Sequence, residues 1–332
     1  MAALLEDPWG QHARHNGTRR GSIFQHSENT AKFCFVKTEI RGKARVFARG
    51  SAPSLQFLRE VIRMNNPVGA DYVLLDSPAI LSRLFYPRED WRPGDWEPPG
   101  EEVAIPVEEG VEVGGRFHLS DPHGCNLLFF HGNGEIVADY DDIAPIFGRM
   151  GINFLPVDYR GYGRSGGSPS ASSMMRDSHE IFRYVRKWLD ENKHSGPLMV
   201  MGRSLGSASA LELAFHYPEQ LDAVIVESGF AYTMALLRFL GVDVEGMGLG
   251  EADGFGNIEK IRSFGKPTLL IHAELDSIIP FSDAQALFDA CGARDKTLVK
   301  IEGADHNNLF LVGLPTYLSS LKTLADKVKA GT

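Results

Sequence analysis

Pro197-Leu198-Met199-Val200-Met201-Gly202-Arg203-Ser204-Leu205-Gly206-Ser207-Ala208-Ser209-Ala210-Leu211 decides how the rest of the chain is read. Leu198 to Met201 is an unbroken apolar run, the pattern of a strand covered on both faces. Gly202-Arg203-Ser204-Leu205-Gly206 follows as a G-x-S-x-G turn, and from Ala208 to Phe215 the composition is helical. A serine in so sharp a strand-to-helix turn needs a backbone conformation most residues avoid. It also leaves no room for side chains two positions away on either side. Its hydroxyl is pushed out above the sheet, beside the first N–H groups of the helix, where a nucleophile belongs.

The same letters recur at Gly163-Arg164-Ser165-Gly166-Gly167. That serine lies past the end of its strand, in a glycine-rich loop followed by Ser168-Pro169, so no helix starts on it. Context selects Ser204.

At 332 residues, 43% of them hydrophobic, the chain supports a large α/β domain with a sizeable core. Its net charge of −9 is unevenly spread. Residues 1–63 hold eleven Lys/Arg against five Asp/Glu, and residues 64–332 hold 23 against 38. An acidic main body argues against a nucleic-acid surface. Cys34, Cys125 and Cys291 form no disulfide or zinc pattern and suit a reducing, cytoplasmic setting. No apolar run is long enough for a stable membrane span.

Residues 1–63 read as a basic, disordered extension, or as an early start, ahead of a domain over 64–332. His12, His15 and His26 have no metal-ligand spacing and read as a solvated tail. Ser77 to Pro87 is a short helix or turn, and Val103–Val107 with Val111–Leu119 is an antiparallel hairpin turning at Glu108-Glu109-Gly110. Further strands are expected at Asn126–Phe130, Asn153–Asp158, Leu198–Met201, Ala223–Glu227, Thr268–His272 and Thr297–Ile301. Helices fall between them at Tyr140–Met150, Ser173–Asn192, Ser204–His216, Asn257–Phe264 and Ser282–Ala290, and Leu309–Val328 closes the chain. Such alternation implies α/β architecture: a mostly parallel sheet with an antiparallel hairpin at its start and helices on both faces. Residues 229–256 break the rhythm. Their apolar side chains, Phe230, Met234 and Leu237 among them, read either as a core helix or as a small lid lining a substrate pocket. The lid is favoured, because the segment leaves the sheet at its carboxyl end.

A serine hydroxyl needs a base, and the base needs an orienting acid. In this type of fold the order along the chain is Ser, acid, His. Of eleven histidines only His216, His272 and His306 follow Ser204. His216 lies on the helix of the elbow itself, and His272 ends a strand ahead of every candidate acid, which leaves His306. Glu274 and Asp276 both lie in the loop after the Thr268–His272 strand; Asp276 is favoured, being far enough along to turn back toward the cleft. Oxyanion donors are expected from the N–H of Leu205, next to the nucleophile, and of Asn133, in the loop His131-Gly132-Asn133-Gly134. His131 precedes Ser204 and reads as structural.

Five motifs in register carry a resemblance: His131-Gly132-Asn133-Gly134, the loop from Asp158 to Ser165, the Ser204 elbow, Asp276 before Ile278-Ile279-Pro280, and Gly303-Ala304-Asp305-His306-Asn307. Residues 78–328 resemble an α/β-hydrolase-fold serine hydrolase, similar to the serine-aminopeptidase-like group and to α/β-hydrolase-domain thioesterases that remove palmitate from proteins. The resemblance implies acyl transfer to water from a small ester, thioester or short peptide. No metal and no cofactor is expected. The cysteine-rich membrane-targeting segment of the palmitate-removing members has no counterpart in residues 1–63.

Other readings are a peptidase, a fold kept only for binding, and a dinucleotide site at Gly161-Tyr162-Gly163-Arg164-Ser165-Gly166. The last needs a helix opening within the glycines, and Pro169 delays it. If the domain begins near Met64, a chain starting there folds and keeps its activity; loss of either, followed by circular dichroism and ester turnover, rejects that boundary.

Overall fold

The computed structural model describes residues 72–91 and 97–331, and the extension expected over 1–63 lies outside them. A 3-10 turn at Tyr72–Asp76 leads into α1 (Pro78–Leu84), which starts on a proline whose missing N–H costs nothing at that position. β1 (Glu101–Glu108) and β2 (Val111–Phe117) form an antiparallel hairpin. Then follow β3 (Cys125–Phe130), α2 (Ala144–Arg149), β4 (Ile152–Val157), α3 (Ala171–Glu191), β5 (Leu198–Arg203) and α4 (Gly206–His216). The remainder is β6 (Ala223–Glu227), α5 (Thr233–Phe239), α6 (Asn257–Ser263), β7 (Thr268–Ala273), α7 (Phe281–Ala290), β8 (Lys296–Ile301) and α8 (Leu309–Gly331).

The helix expected over Tyr140–Met150 is split. A 3-10 turn ends at Tyr140 and α2 starts again at Ala144, because Pro145 is tolerated only in a first helical turn. α3 starts where Ser170 and Ser173 cap each other, Ser173 N–H donating to Ser170 Oγ at 3.0 Å and Ser170 N–H to Ser173 Oγ at 2.9 Å.

The eight strands lie in the order β1-β2-β4-β3-β5-β6-β7-β8, with β2 antiparallel to its neighbours and the rest parallel. Successive side chains of the central strands point to opposite faces. Leu128, Phe130, Val200, Val224 and Leu270 therefore join one core with α1, α3, α4, α5 and α6. Leu127, Phe129, Met199, Ile225 and Ile271 join a second with α2 and α8. Strands buried on both faces explain the unbroken apolar runs.

From β3 the chain steps outward to β4, then crosses to β5 and continues the other way. The sheet thus reverses its winding between β3 and β5. Loops leaving their carboxyl ends part there, and that is where ligands of such sheets bind. Ser204 is the first residue past β5.

Candidate active site

Ser204 has φ = +50°, a left-handed conformation that costs a non-glycine residue about 1–3 kcal/mol and persists only where its surroundings impose it. Here the surroundings do. Ser204 N–H donates to the carbonyl of Glu227 at the end of β6 (2.8 Å), and its own carbonyl accepts from Ser207 N–H (3.0 Å) and Ser207 Oγ (2.6 Å). A side chain at Gly202 would strike the carbonyl of Gly206, and one at Gly206 the carbonyl of Phe130 in β3. Both glycines are therefore required for strand and helix to approach so closely.

His306 and Asp276 reach the serine from two other loops. His306 Nε2 is 3.0 Å from Ser204 Oγ, and His306 Nδ1 is 2.6 Å from Asp276 Oδ2. An ionised carboxylate only accepts, so the imidazole proton lies on Nδ1 and Nε2 is left to accept from the hydroxyl. Asp276 Oδ1 accepts from Ile278 N–H (3.0 Å) and Ile279 N–H (2.8 Å). Burial acts to raise the Asp276 carboxyl, but His306 and the Ile279 N–H outweigh it and hold the group below the usual carboxylate range. His272 donates from Nε2 to the Ile279 carbonyl at 2.8 Å, and burial lowers its pKa, so it remains neutral beside Asp276.

The loop after β3 is held by its own residues. His131 is fully buried, with Nε2 3.1 Å from Asp158 and Nδ1 2.8 Å from the Gly132 carbonyl, so its ring is committed to the loop. Asn133 Oδ1 accepts from Tyr86 N–H and Tyr162 OH, both at 2.7 Å. That side chain is thereby committed to holding the turn. Neither Asn133 N–H nor Leu205 N–H has a hydrogen-bond acceptor among the described residues.

A model of the serine aminopeptidase family S33 matches residues 121–240. The α/β hydrolase domain-containing protein 17C of Xenopus laevis is 30% identical over 251 residues, 74% of this chain and 76% of that protein. Human α/β hydrolase domain-containing protein 17B is 30% identical over 246 residues, 72% of this chain and 80% of its own. The chain belongs to the α/β-hydrolase family. Two solved structures share the fold at 17% identity and a TM-score of 0.56: the Pyrococcus furiosus esterase Pf2001, over 72% of this chain and 99% of that one, and mouse α/β hydrolase domain-containing protein 10, over 69% and 99%.

This hydrolase contains a feature that sequence reading passed over. Arg203, 12% exposed, lies between two carboxylates, its Nη1 on Glu135 and its Nε 3.2 Å from Glu227, and its Nη2 donates to the carbonyl of His306 at 2.8 Å. Glu135 also takes Gly132 N–H and Tyr140 OH, both at 2.6 Å, and Glu227 takes Tyr317 OH at 2.7 Å. One guanidinium thus ties together the loop after β3, the end of β6 and the backbone of His306. Burial acts to raise the Glu135 carboxyl, yet Arg203 and Tyr140 hold it below the usual range; burial does raise Glu227. The signal was present in Glu227, a charge ending the otherwise apolar strand Ala223-Val224-Ile225-Val226, and in Arg203 inside the elbow itself.

Other candidates are occupied elsewhere. Ser165 Oγ accepts from Gly114 N–H of the hairpin at 2.9 Å. Glu274 pairs with Lys300 (2.8 Å) and Gly303 N–H (3.0 Å), and Asp305 caps Asn307 and Asn308. Arg160 grips Asp177 of α3 through Nε (2.6 Å) and Nη2 (2.8 Å), so the glycine-rich loop after β4 is a clamp. α3 opens only at Ala171, past Pro169, which does not suit a dinucleotide.

Phe230, Met234 and Leu237 differ from the pocket-lining face expected of a lid. They are at most 2% exposed and belong to the main core. Glu251, from the same segment, accepts from Thr233 N–H (2.9 Å) and Met234 N–H (2.8 Å) and fixes the start of α5, whose apolar face is turned into that core. Tyr232 and Phe239 are the large apolar side chains that face outward.

Removing Arg203 leaves the buried Glu227 and the partly exposed Glu135 without their cation, which costs up to about 3–5 kcal/mol. Arg203→Met is expected to lose that much in urea unfolding, and Arg203→Lys, lacking the planar fork, less; an Arg203→Met variant as stable as the parent would show that the tie carries no load. Asp276 stabilises the fold fully above the ordinary carboxylate value of about 4, and that contribution is lost as pH falls through its lower folded value. Urea midpoints below pH 4 should therefore fall less steeply in Asp276→Asn than in the parent.

Proposed function

We propose that this hydrolase cleaves carboxylic esters or thioesters through an acyl-enzyme on Ser204. The observation that carries the reading is the uninterrupted path from Ser204 Oγ through His306 to the buried Asp276. Ser204 Oγ attacks the acyl carbon while His306 Nε2 takes its proton, and Asp276 stabilises the imidazolium that forms. The N–H groups of Leu205 and Asn133 are the donors assigned to the developing oxyanion. His306 then returns the proton to the departing alkoxide or thiolate. Water repeats the sequence on the acyl carbon, with His306 again as base, and frees the acid. These steps call on no cofactor.

The esterase among the structures sharing this fold supports an ester over a peptide bond. Residues 229–256 leave the sheet at Ser228, next to the carbonyl that holds Ser204 N–H, and are assigned as the cover of the site. Among the described residues no helix is long and apolar enough to cross a membrane. Cys125 and Cys291 are free and buried, in keeping with the reducing, cytoplasmic setting assigned here.

A fluorophosphonate probe is expected to label Ser204 in the parent and nothing in Ser204→Ala, whose kcat should fall by roughly 10⁶. Across p-nitrophenyl esters of rising length, each buried methylene contributes about 0.8 kcal/mol, a roughly fourfold gain in kcat/KM until the pocket is filled. Unlabelled Ser204 would mean a binding protein; turnover of aminoacyl peptides without esters would mean a peptidase.

A further inference from the structure

The far end of α4 carries a second cluster of chemistry-bearing side chains. Glu212 and His216 are four residues apart and share one helix face. His179 of α3 faces them from the neighbouring helix. One ligand atom from each of the three lies within 4.8 Å of the others. We propose that these three residues bind a divalent transition-metal cation of zinc's class, with water as the fourth ligand.

The two distances to Glu212 also suit a metal. Both Nε2 atoms are 3.3 Å from the same oxygen, Glu212 Oε1. That is long for N–H···O, but it is the edge of a tetrahedron with bonds of about 2.0–2.1 Å, roughly 3.3 Å. The surrounding groups present the ligands correctly. Lys260 Nζ (2.6 Å) and Tyr72 OH (3.0 Å) hold the other oxygen, Oε2, and leave Oε1 to the imidazoles. His179 Nδ1 is 3.0 Å from Tyr217 OH, whose oxygen also accepts from Arg183 at 3.1 Å. With Nδ1–H donating there, the lone pair of His179 lies on Nε2. Glu212 is buried, while His179 and His216 are 20% and 25% exposed, which gives the ion and its water a way in.

Glu212 lies eight residues along the helix from Ser204, about 12 Å at 1.5 Å per residue, so this is not the hydrolytic site. The cation would bind α3 to α4 and, through Lys260 on Glu212, draw in α6.

The test uses the full chain, freed of metal by a chelator and titrated with zinc by calorimetry and with cobalt by visible absorption. We expect one equivalent bound, tetrahedral cobalt bands, and a Tm raised by about 5 °C at a hundredfold excess over Kd. His179→Ala and His216→Ala each remove a partly exposed ligand, and each should weaken binding at least about 30-fold and abolish the Tm rise. Circular dichroism and retained esterase activity serve as the control for folding. No binding at about 0.1 mM zinc, or binding unchanged in either variant, which would place the metal on histidines elsewhere, overturns the proposal.

Discussion

Everything at the site depends on how closely three backbones approach one another beneath Ser204. β5, the first turn of α4 and the end of β3 meet where only Gly202 and Gly206 fit. That contact forces Ser204 into its left-handed conformation, and the carbonyl of Glu227 holds it there. The strain is local, and packing on both faces of the sheet sustains it. An unstrained serine would direct its hydroxyl elsewhere, away from the His306 ring.

A left-handed serine alone does not assemble a site. His306 lies 102 residues further on, and Asp276 30 residues before it. Their loops leave β8 and β7, which the parallel sheet brings to the same edge as β5. Arg203 completes the arrangement by gripping the carbonyl of His306 while its two carboxylate partners hold the loop after β3 and the end of β6. A largely desolvated cation between two anions is a poor source of net stability. Its value here is geometric, because it couples the loops that meet at the serine.

α4 is then restrained at both ends. Its first turn is fixed by the elbow, and its last turn by the Glu212 cluster, where Lys260 of α6 and His179 of α3 converge. The loop after β4 plays a comparable part on the other flank, with Arg160 joining α3 to Glu108 of the hairpin at 2.6 Å. The Arg203 and Arg160 clamps lie where the sheet gives way to loops, and apolar packing alone does not define loop geometry.

Much of the fold was legible in the sequence. Strands buried on both faces print as unbroken apolar runs, so Leu198–Met201 and Ala223–Val226 announced themselves, and each glycine of the elbow had a steric reason. The order of serine, acid and histidine narrowed eleven histidines to His306, since chain order restricts which loops reach one edge of a parallel sheet. Contacts between distant side chains left no such trace. Arg203 could have been an exposed elbow residue, and Phe230, Met234 and Leu237 carry the same apolar pattern whether they line a pocket or fill a core. Glu212 and His216 shared a visible helical spacing, but His179 joins them only because α3 packs against α4. Periodicity records which way a side chain points from its own element; which partner it meets is decided by how the elements pack.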